Sequence, residues 1–236
     1  MQGVSIVEGP FYCIICDKPL KPIREVAKCS FCGKKEVGDY VCPEGHYICE
    51  ECRTASSEEI VKKVCIFTRE TDSMKIAILL MKHPAIQMHG PEHHFLVGCV
   101  LLAALRNLSK FDIDNPAFEE AIRRGKRVPL GSCGLLGVCG AAAGVGMAVS
   151  IATKATWTSD RERSLAMQST SETLRKIAEI GGPRCCKASV FAAIETAAKF
   201  FEREFDIKIP KLINPRPCLF KKHNTECLGN RCPYFG

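Results

Sequence analysis

Residues 131–150, GSCGLLGVCGAAAGVGMAVS, hold six glycines, two cysteines and no charge. The uncharged run extends from Pro129 to Thr153, long enough to span a bilayer. Glycine argues against a span, because each one weakens an isolated helix by about 1 kcal/mol relative to alanine. Thiols would also sit poorly in lipid, and the flanking segments read as soluble amphipathic helices. The stretch is therefore expected to form a central helix whose small residues, Gly140 and Gly144 among them, let other helices approach closely. Its first half, GSCGLLGVCG, is expected to be a loop that brings Cys133 and Cys139 before or into the first helical turn.

Working outward, the same helical texture recurs on both sides. DSMKIAILLMKHP carries apolar Met74, Ile76, Ala77, Leu79 and Leu80 and stops at Pro84. GPEHHFLVGCVLLAALRNL opens with Pro91 in a first turn. NPAFEEAIRRG offers Asn115 as N-cap, Pro116 at the first helical position and Gly125 as a stop. DRERSLAMQSTSETLRKIAEIGG and PRCCKASVFAAIETAAKFFEREF follow, separated by glycines. Alternating strand patterns are scarce. These signals predict a mainly α protein: a bundle-like body over residues 55–210, a cysteine-rich metal module over 1–54 and a cysteine-rich tail over 211–236.

Sixteen cysteines in 236 residues set the chemistry. No charged segment followed by an apolar run opens the chain, so the expected compartment is reducing and cytoplasmic, with cysteine used for metals or redox work. Residues 13–52 read C-x2-C-x12-C-x2-C-x9-C-x3-H-x2-C-x2-C. Cys13, Cys16, Cys29, Cys32, Cys42, His46, Cys49 and Cys52 provide eight soft ligands, enough for two tetrahedral zinc ions. A knuckle, a short hairpin and a helix start, with Ser56 and Glu59 as a capping box, predict a treble-clef site of Cys29, Cys32, Cys49 and Cys52. Cys13, Cys16, Cys42 and His46 then interleave as the second site. Sequential pairing, first four and last four, satisfies the same spacing. CPEGHYICEEC resembles the heart of RING-type cross-braced modules, but no C-x2-C follows Cys52, so ubiquitin transfer does not carry over.

Net charge is +7, and the first 54 residues hold seven Lys/Arg against eight Asp/Glu, so the positive excess lies in the body and tail. It is spread thinly, in patches such as RRGKR and FKKH. With aromatics at only 7%, nucleic-acid stacking is not favoured, and a protein partner is the better expectation.

Further candidate ligands lie at predicted helix starts. MKHPAIQMHGPEHHFLVGC brings His83, His89, Glu92, His93 and His94; GSCGLLGVCG brings Cys133 and Cys139; GGPRCCK brings Arg184, Cys185 and Cys186. Unpaired N–H groups and the helix dipole favour thiolate there and keep histidine neutral. If these starts face one cavity, they make a site for an iron–sulfur cluster, another metal or an anionic substrate. Cys65 and Cys99 read as core residues instead, and His83 as a cap or loop residue. In the tail, C-x4-H-x3-C-x4-C places Cys218, His223, Cys227 and Cys232 as a further metal site, or lends a cysteine to the body. Cys232–Pro233 is similar to the cysteine–proline ending of ferredoxin cluster motifs, without their C-x2-C-x2-C run.

HGPEHHFLVGCVLL, GSCGLLGVCGAAAGVG, GGPRCCK and ECLGNRCPYF together resemble an uncharacterised family of methanogenic archaea and anaerobic bacteria, over most of residues 40–236. Its domain also occurs in proteins with a radical S-adenosylmethionine domain. The Cys-Gly segment weakly resembles helical redox-type proteins named for a C-GCAxxG-C-C pattern. The resemblance implies an anaerobic setting and cysteine chemistry on a helical domain. The chain lacks the C-x3-C-x2-C radical-initiating motif, so a radical enzyme could at most be its partner; a radical or redox enzyme is one candidate for the expected protein partner. The expected function is electron or sulfur transfer, or modification of a small substrate. Cys139 and Cys185 or Cys186 would be ligands or nucleophile, His93 or His94 ligand or proton carrier, Cys133 and His89 further cofactor ligands, and Arg184 an anion binder. The competing expectation is a non-enzymatic zinc-module adaptor.

Overall fold

The computed structural model describes residues 11–209 and 213–236. They fall into two compact units, Met1–Ala55 and Ser56–Gly236, and the tail belongs to the second.

The first unit is built from short pairings. β1 (Lys21–Pro22) pairs antiparallel with β4 (Tyr40–Val41), and β2 (Val26–Lys28) with β3 (Lys35–Val37). Two Cys-x2-Cys turns share one design. Asp17 after Cys16 and Gly33 after Cys32 take positive φ (58° and 70°), and their N–H groups donate to the carbonyls of Cys13 and Cys29. Each turn thereby folds back and aims two sulfurs the same way. A one-turn helix, α1 (Glu50–Arg53), starts at Cys49 as N-cap and carries Cys52.

The second unit is helical. It holds α2 (Ser57–Phe67), α3 (Ser73–Met81), α4 (Glu92–Asn107), α5 (Asn115–Gly125), α6 (Ser132–Leu135), α7 (Gly140–Ala152), α8 (Arg161–Ile180) and α9 (Cys186–Phe205). The expected capping box at Ser56 is formed: the Glu59 N–H donates to Ser56 Oγ at 3.3 Å, and the Ser56 N–H to Glu59 Oε2 at 2.8 Å. α5 starts one residue earlier than its sequence suggests. Asp114, not Asn115, is the N-cap, accepting the Ala117 N–H at 3.1 Å and moving Pro116 past the first helical position. Asp fills that role as well as Asn does, so the local signal is ambiguous by one residue.

α4 is the centre, with fourteen of its sixteen residues buried. α7 lies against α4 and α8, and the glycine-rich stretch makes this contact close. A Cβ on Gly144 would sit 2.7 Å from the His94 carbonyl and 2.9 Å from Val97 Cβ; one on Gly140 would run into the His94 ring. Gly146 does the same for α8, where a Cβ would strike Thr170. The glycines are there for helix contact, and no helix among the described residues is long and apolar enough to cross a membrane. The segment before α7 is not all loop. It contains α6, tied down by Ser132, whose Oγ donates to the Val138 carbonyl at 2.8 Å. Cys65 and Cys99 are fully buried core residues.

Candidate functional site

The strand pairings of the first unit decide how its ligands combine. Cys29 forms a bridge with Tyr47, and Ser30 N–H donates to the Tyr47 carbonyl, so the second Cys-x2-Cys turn lies beside the start of α1. Cys29, Cys32, Cys49 and Cys52 therefore form one group, and Cys13, Cys16, Cys42 and His46 the other, each with all ligand atoms within 4.8 Å. This is the interleaved pairing. Cys32 and Cys49 sulfurs are 3.7 Å apart, Cys16 and Cys42 3.6 Å, and His46 Nδ1 is 3.4 Å from Cys42 Sγ. A tetrahedral ion with metal–sulfur bonds of about 2.3 Å requires sulfurs about 3.8 Å apart. Backbone N–H groups of Ile15, His46 and Cys49 point at Cys13, Cys42 and Cys29 sulfurs. Burial raises the Cys13 and Cys49 thiols to about 11, so a cation must displace their protons to bind. Both groups can hold a metal ion, and each supplies a complete tetrahedral set.

In the second unit, the starts of α4, α7 and α9 reach one cavity of about 400 Å³. Cys139, the N-cap of α7, lines it, as do Cys133 from α6 and Cys185 and Cys186 at the start of α9. His93 and His94 from the first turn of α4 and Arg184 complete the polar wall. A larger cleft of about 980 Å³ between α7 and α8 shares Cys133 and Cys139 with it. Cys185 and Cys186 look different ways. Cys186 feels the charges of Cys139 and Cys133 and accepts a hydrogen bond from the Gly90 N–H. Cys185 feels those of Cys218 and Cys232 and accepts from the Ala188 N–H at 3.5 Å and Asn224 Nδ2 at 3.6 Å.

The two histidines have fixed tautomers. His93 Nδ1 lies 3.0 Å from the Gly90 carbonyl and His94 Nδ1 3.0 Å from the Val128 carbonyl. Carbonyls only accept, so both Nδ1 atoms carry the hydrogen and each neutral ring keeps its Nε2 lone pair. His93 Nε2 is buried without a hydrogen-bond partner. Burial, reinforced by the Lys187 charge, pushes His93 down to about 3, and burial lowers His94. His89 stands outside the cavity wall, with Nε2 3.1 Å from Asn224 Oδ1. Arg184 pairs with Glu226 at 3.5 Å.

The expected thiol activation at helix starts is overturned at Cys185 and Cys186. The backbone N–H groups pull their pKa down, but burial outweighs them, and Cys185 rises to about 11. These are thiols that stay protonated until a metal or a base takes the proton.

The tail packs against α9. Tyr234 donates to Glu195 Oε2 at 2.8 Å, and Phe191 meets both the Tyr234 and Phe220 rings. The Cys218 N–H donates to the Tyr234 carbonyl at 3.0 Å, closing the tail into a loop. Among the described residues, Cys218, His223, Cys227 and Cys232 do not draw together as the two four-ligand groups do. His223 is exposed at the end of a 3-10 turn, and its neighbour Asn224 turns inward to Cys185 and His89. Two further groups carry almost no sequence signal: Asn224 and Lys187. Lys187 is buried, with Nζ donating to the carbonyls of Gln87 at 2.7 Å and Ile86 at 3.2 Å and lying 5.1 Å from the Phe220 ring centre. Its place directly after Cys185–Cys186 is the only hint of its role.

A family model described as a family of unknown function (DUF5714) matches residues 61–235. The chain belongs to that family. The DUF5714 region takes in the cavity and every tail cysteine, and leaves both four-ligand groups of the first unit outside it. No curated protein and no solved structure matches the chain.

Proposed function

We propose that this DUF5714 protein transfers electrons or sulfur in anaerobic, cytoplasmic metabolism, with its chemistry in the cavity at the starts of α4, α7 and α9. The observation that carries this is the gathering of Cys139 and Cys186 with His93, His94 and Arg184 on one 400 Å³ cavity. Cys139 and Cys186 are the reacting thiols. His94, beside Gly140 at the α7 start, offers Nε2 to a proton or a metal. His93 is too weakly basic to shuttle protons at neutral pH and suits ligation through its free Nε2. Arg184 supplies positive charge for an anionic substrate. In the first unit, zinc fits both ligand sets, one of four cysteines and one of three cysteines with a histidine. Each set is closed and therefore structural.

A protein partner has its own support. Leu130, Leu135 and Leu136 around α6 are 61%, 82% and 66% exposed, next to cavity residue Cys133. An apolar rim of this kind suits a partner redox or radical enzyme that covers the cavity. The adaptor alternative would need the cavity thiols to be dispensable.

The experiment is anaerobic purification followed by thiol titration with stepwise oxidants and persulfide labelling of wild type, Cys139→Ala and Cys186→Ala. The expected result is a redox-active or sulfur-loaded thiol that both variants lose. Thiols that react identically in all three proteins would defeat the proposal.

A further inference from the structure

The transfer reading does not use Cys185, on the cavity wall at the start of α9, or Cys218, Cys227 and Cys232 in the tail. Asn224 ties Cys185 to Cys227, with its Nδ2 3.6 Å from Cys185 Sγ and its carbonyl accepting the Cys227 N–H at 3.2 Å; Tyr234 ties Cys218 to Cys232, accepting the Cys218 N–H at 3.0 Å and donating its own N–H to Cys232 Sγ at 3.4 Å. Yet no three of their sulfurs fall within 4.8 Å of one another, whereas both ligand groups of the first unit do. One chain thus contains two kinds of cysteine group. The close-set kind matches the span of a single tetrahedral ion. The wider kind does not match that span, and a multinuclear cluster with bridging sulfides is the cysteine-ligated group that joins thiolates set farther apart.

We propose that Cys185, Cys218, Cys227 and Cys232 together ligate one [4Fe–4S] cluster at the seam between α9 and the tail. Four thiols lose their protons as four iron–sulfur bonds form, one to each iron. This deepens the electron-transfer reading, resting on it for the cluster's role but not for its ligands.

The surroundings fit a cluster in three ways. First, hydrogen bonds converge on the sulfurs: Tyr234 N–H reaches Cys232 Sγ at 3.4 Å, Ala188 N–H and Asn224 Nδ2 reach Cys185, and backbone groups of Phe220 and Lys221 reach Cys218. Such bonds stabilise ligated sulfur and set cluster potential. Second, an oxidised cubane with four thiolates is an anion, and the buried Lys187 ammonium stands next to Cys185, Cys186 and Cys218. Its hydrogen bonds go to neutral carbonyls, and the buried Glu92 carboxylate is the nearest opposing charge, so Lys187 adds positive potential that Glu92 and the cluster would share. Third, Phe220, Leu228 and Tyr234 are buried around the half-buried cysteines, and Phe191 packs on two of them, giving a largely dry shell. The site also abuts the cavity, because Cys185 lines its wall beside Cys186.

The test is anaerobic reconstitution of the full, zinc-loaded chain with iron and sulfide. It is read as iron and sulfide content and as the electron paramagnetic resonance signal after dithionite reduction. The expected result is about four iron and about four sulfide per chain with a cubane signal. The signal is lost in Cys185→Ala, Cys218→Ala, Cys227→Ala and Cys232→Ala, and kept in Cys139→Ala, Cys186→Ala and His223→Ala. Circular dichroism of each variant separates loss of cluster from loss of fold. Where a cysteine variant fails to fold, Asn224→Ala, which removes the hydrogen bond to Cys185 along with the Asn224 contacts to His89 and Glu226 but no ligand, should keep the iron and shift the reduction potential. A third zinc bound by the tail, or a cubane that survives in the tail variants but disappears in Cys139→Ala and Cys186→Ala, overturns the proposal. Normal iron content with unreactive cavity thiols would instead defeat the transfer reading alone.

Discussion

The two cysteine-rich regions of this chain are built on opposite plans. In the first unit the ligands come from 40 consecutive residues, and short β pairings with two positive-φ turns set the ligand atoms of each group within 4.8 Å of one another. In the second, the cysteines come from α6, α7, α9 and the tail, as far apart in sequence as Cys133 and Cys232, and among the described residues no three of them gather within 4.8 Å. A local site has little apart from its metal to hold it. A site made by tertiary contact inherits its geometry from a packed core. The difference teaches that the head should depend on its ions and the body on its glycine-packed helices.

Metal removal breaks the comparison most sharply. Structural zinc contributes roughly 10–16 kcal/mol in small zinc modules, far more than so small a unit gains from its own core. A strong chelator, or Cys49→Ala, should expose residues 11–55 to protease while the helical circular dichroism of the body persists. Joint melting of both units would show that the body also leans on those ions.

Acid should act on the body through His93. Its folded pKa, about 3, lies below the ordinary 6.5, so the folded state takes up the proton only at much lower pH than the unfolded state. The contribution is intact above about pH 6.5 and is lost on acidification, at about 1.4 kcal/mol per pH unit down to about pH 3. Denaturant titrations of the helical signal at successive pH values should show that slope, with His94 adding in the same direction. His93→Gln should flatten it by about one proton.

Smaller effects test the packing. Gly144→Ala places a Cβ 2.7 Å from the His94 carbonyl, and relief requires α4 and α7 to move apart. A loss of about 1–3 kcal/mol, read as a lower melting temperature, is expected. An unchanged melt would mean the two helices are not held that closely. Ser56→Ala removes the α2 capping box and should cost about 1 kcal/mol.

Much of this is legible in the sequence, for identifiable reasons. Most helix starts and stops follow from caps, prolines and glycines; Asp114 caps α5 in place of Asn115 because neighbouring residues cap equally well, and Pro91 caps α4 instead of lying in its first turn. The spacing from Cys13 to Cys52 names the eight ligands but allows two pairings; only the Cys29–Tyr47 bridge selects one. The tail is harder. C-x4-H-x3-C-x4-C suits a local site, but the 3-10 turn sends His223 outward and Asn224 inward, and spacing carries no such information. The thiol pKa values depart from expectation because a helix start is visible in sequence while burial is not. At Cys185, burial decides the sign.

The most direct measurement is X-ray absorption of the anaerobically reconstituted protein at the zinc and iron edges. The prediction is zinc in sulfur-rich shells at about 2.3 Å, confined to the head, together with iron showing iron neighbours in a sulfur cage. Zinc beyond the head's two sites, with no iron–iron scattering, would contradict it.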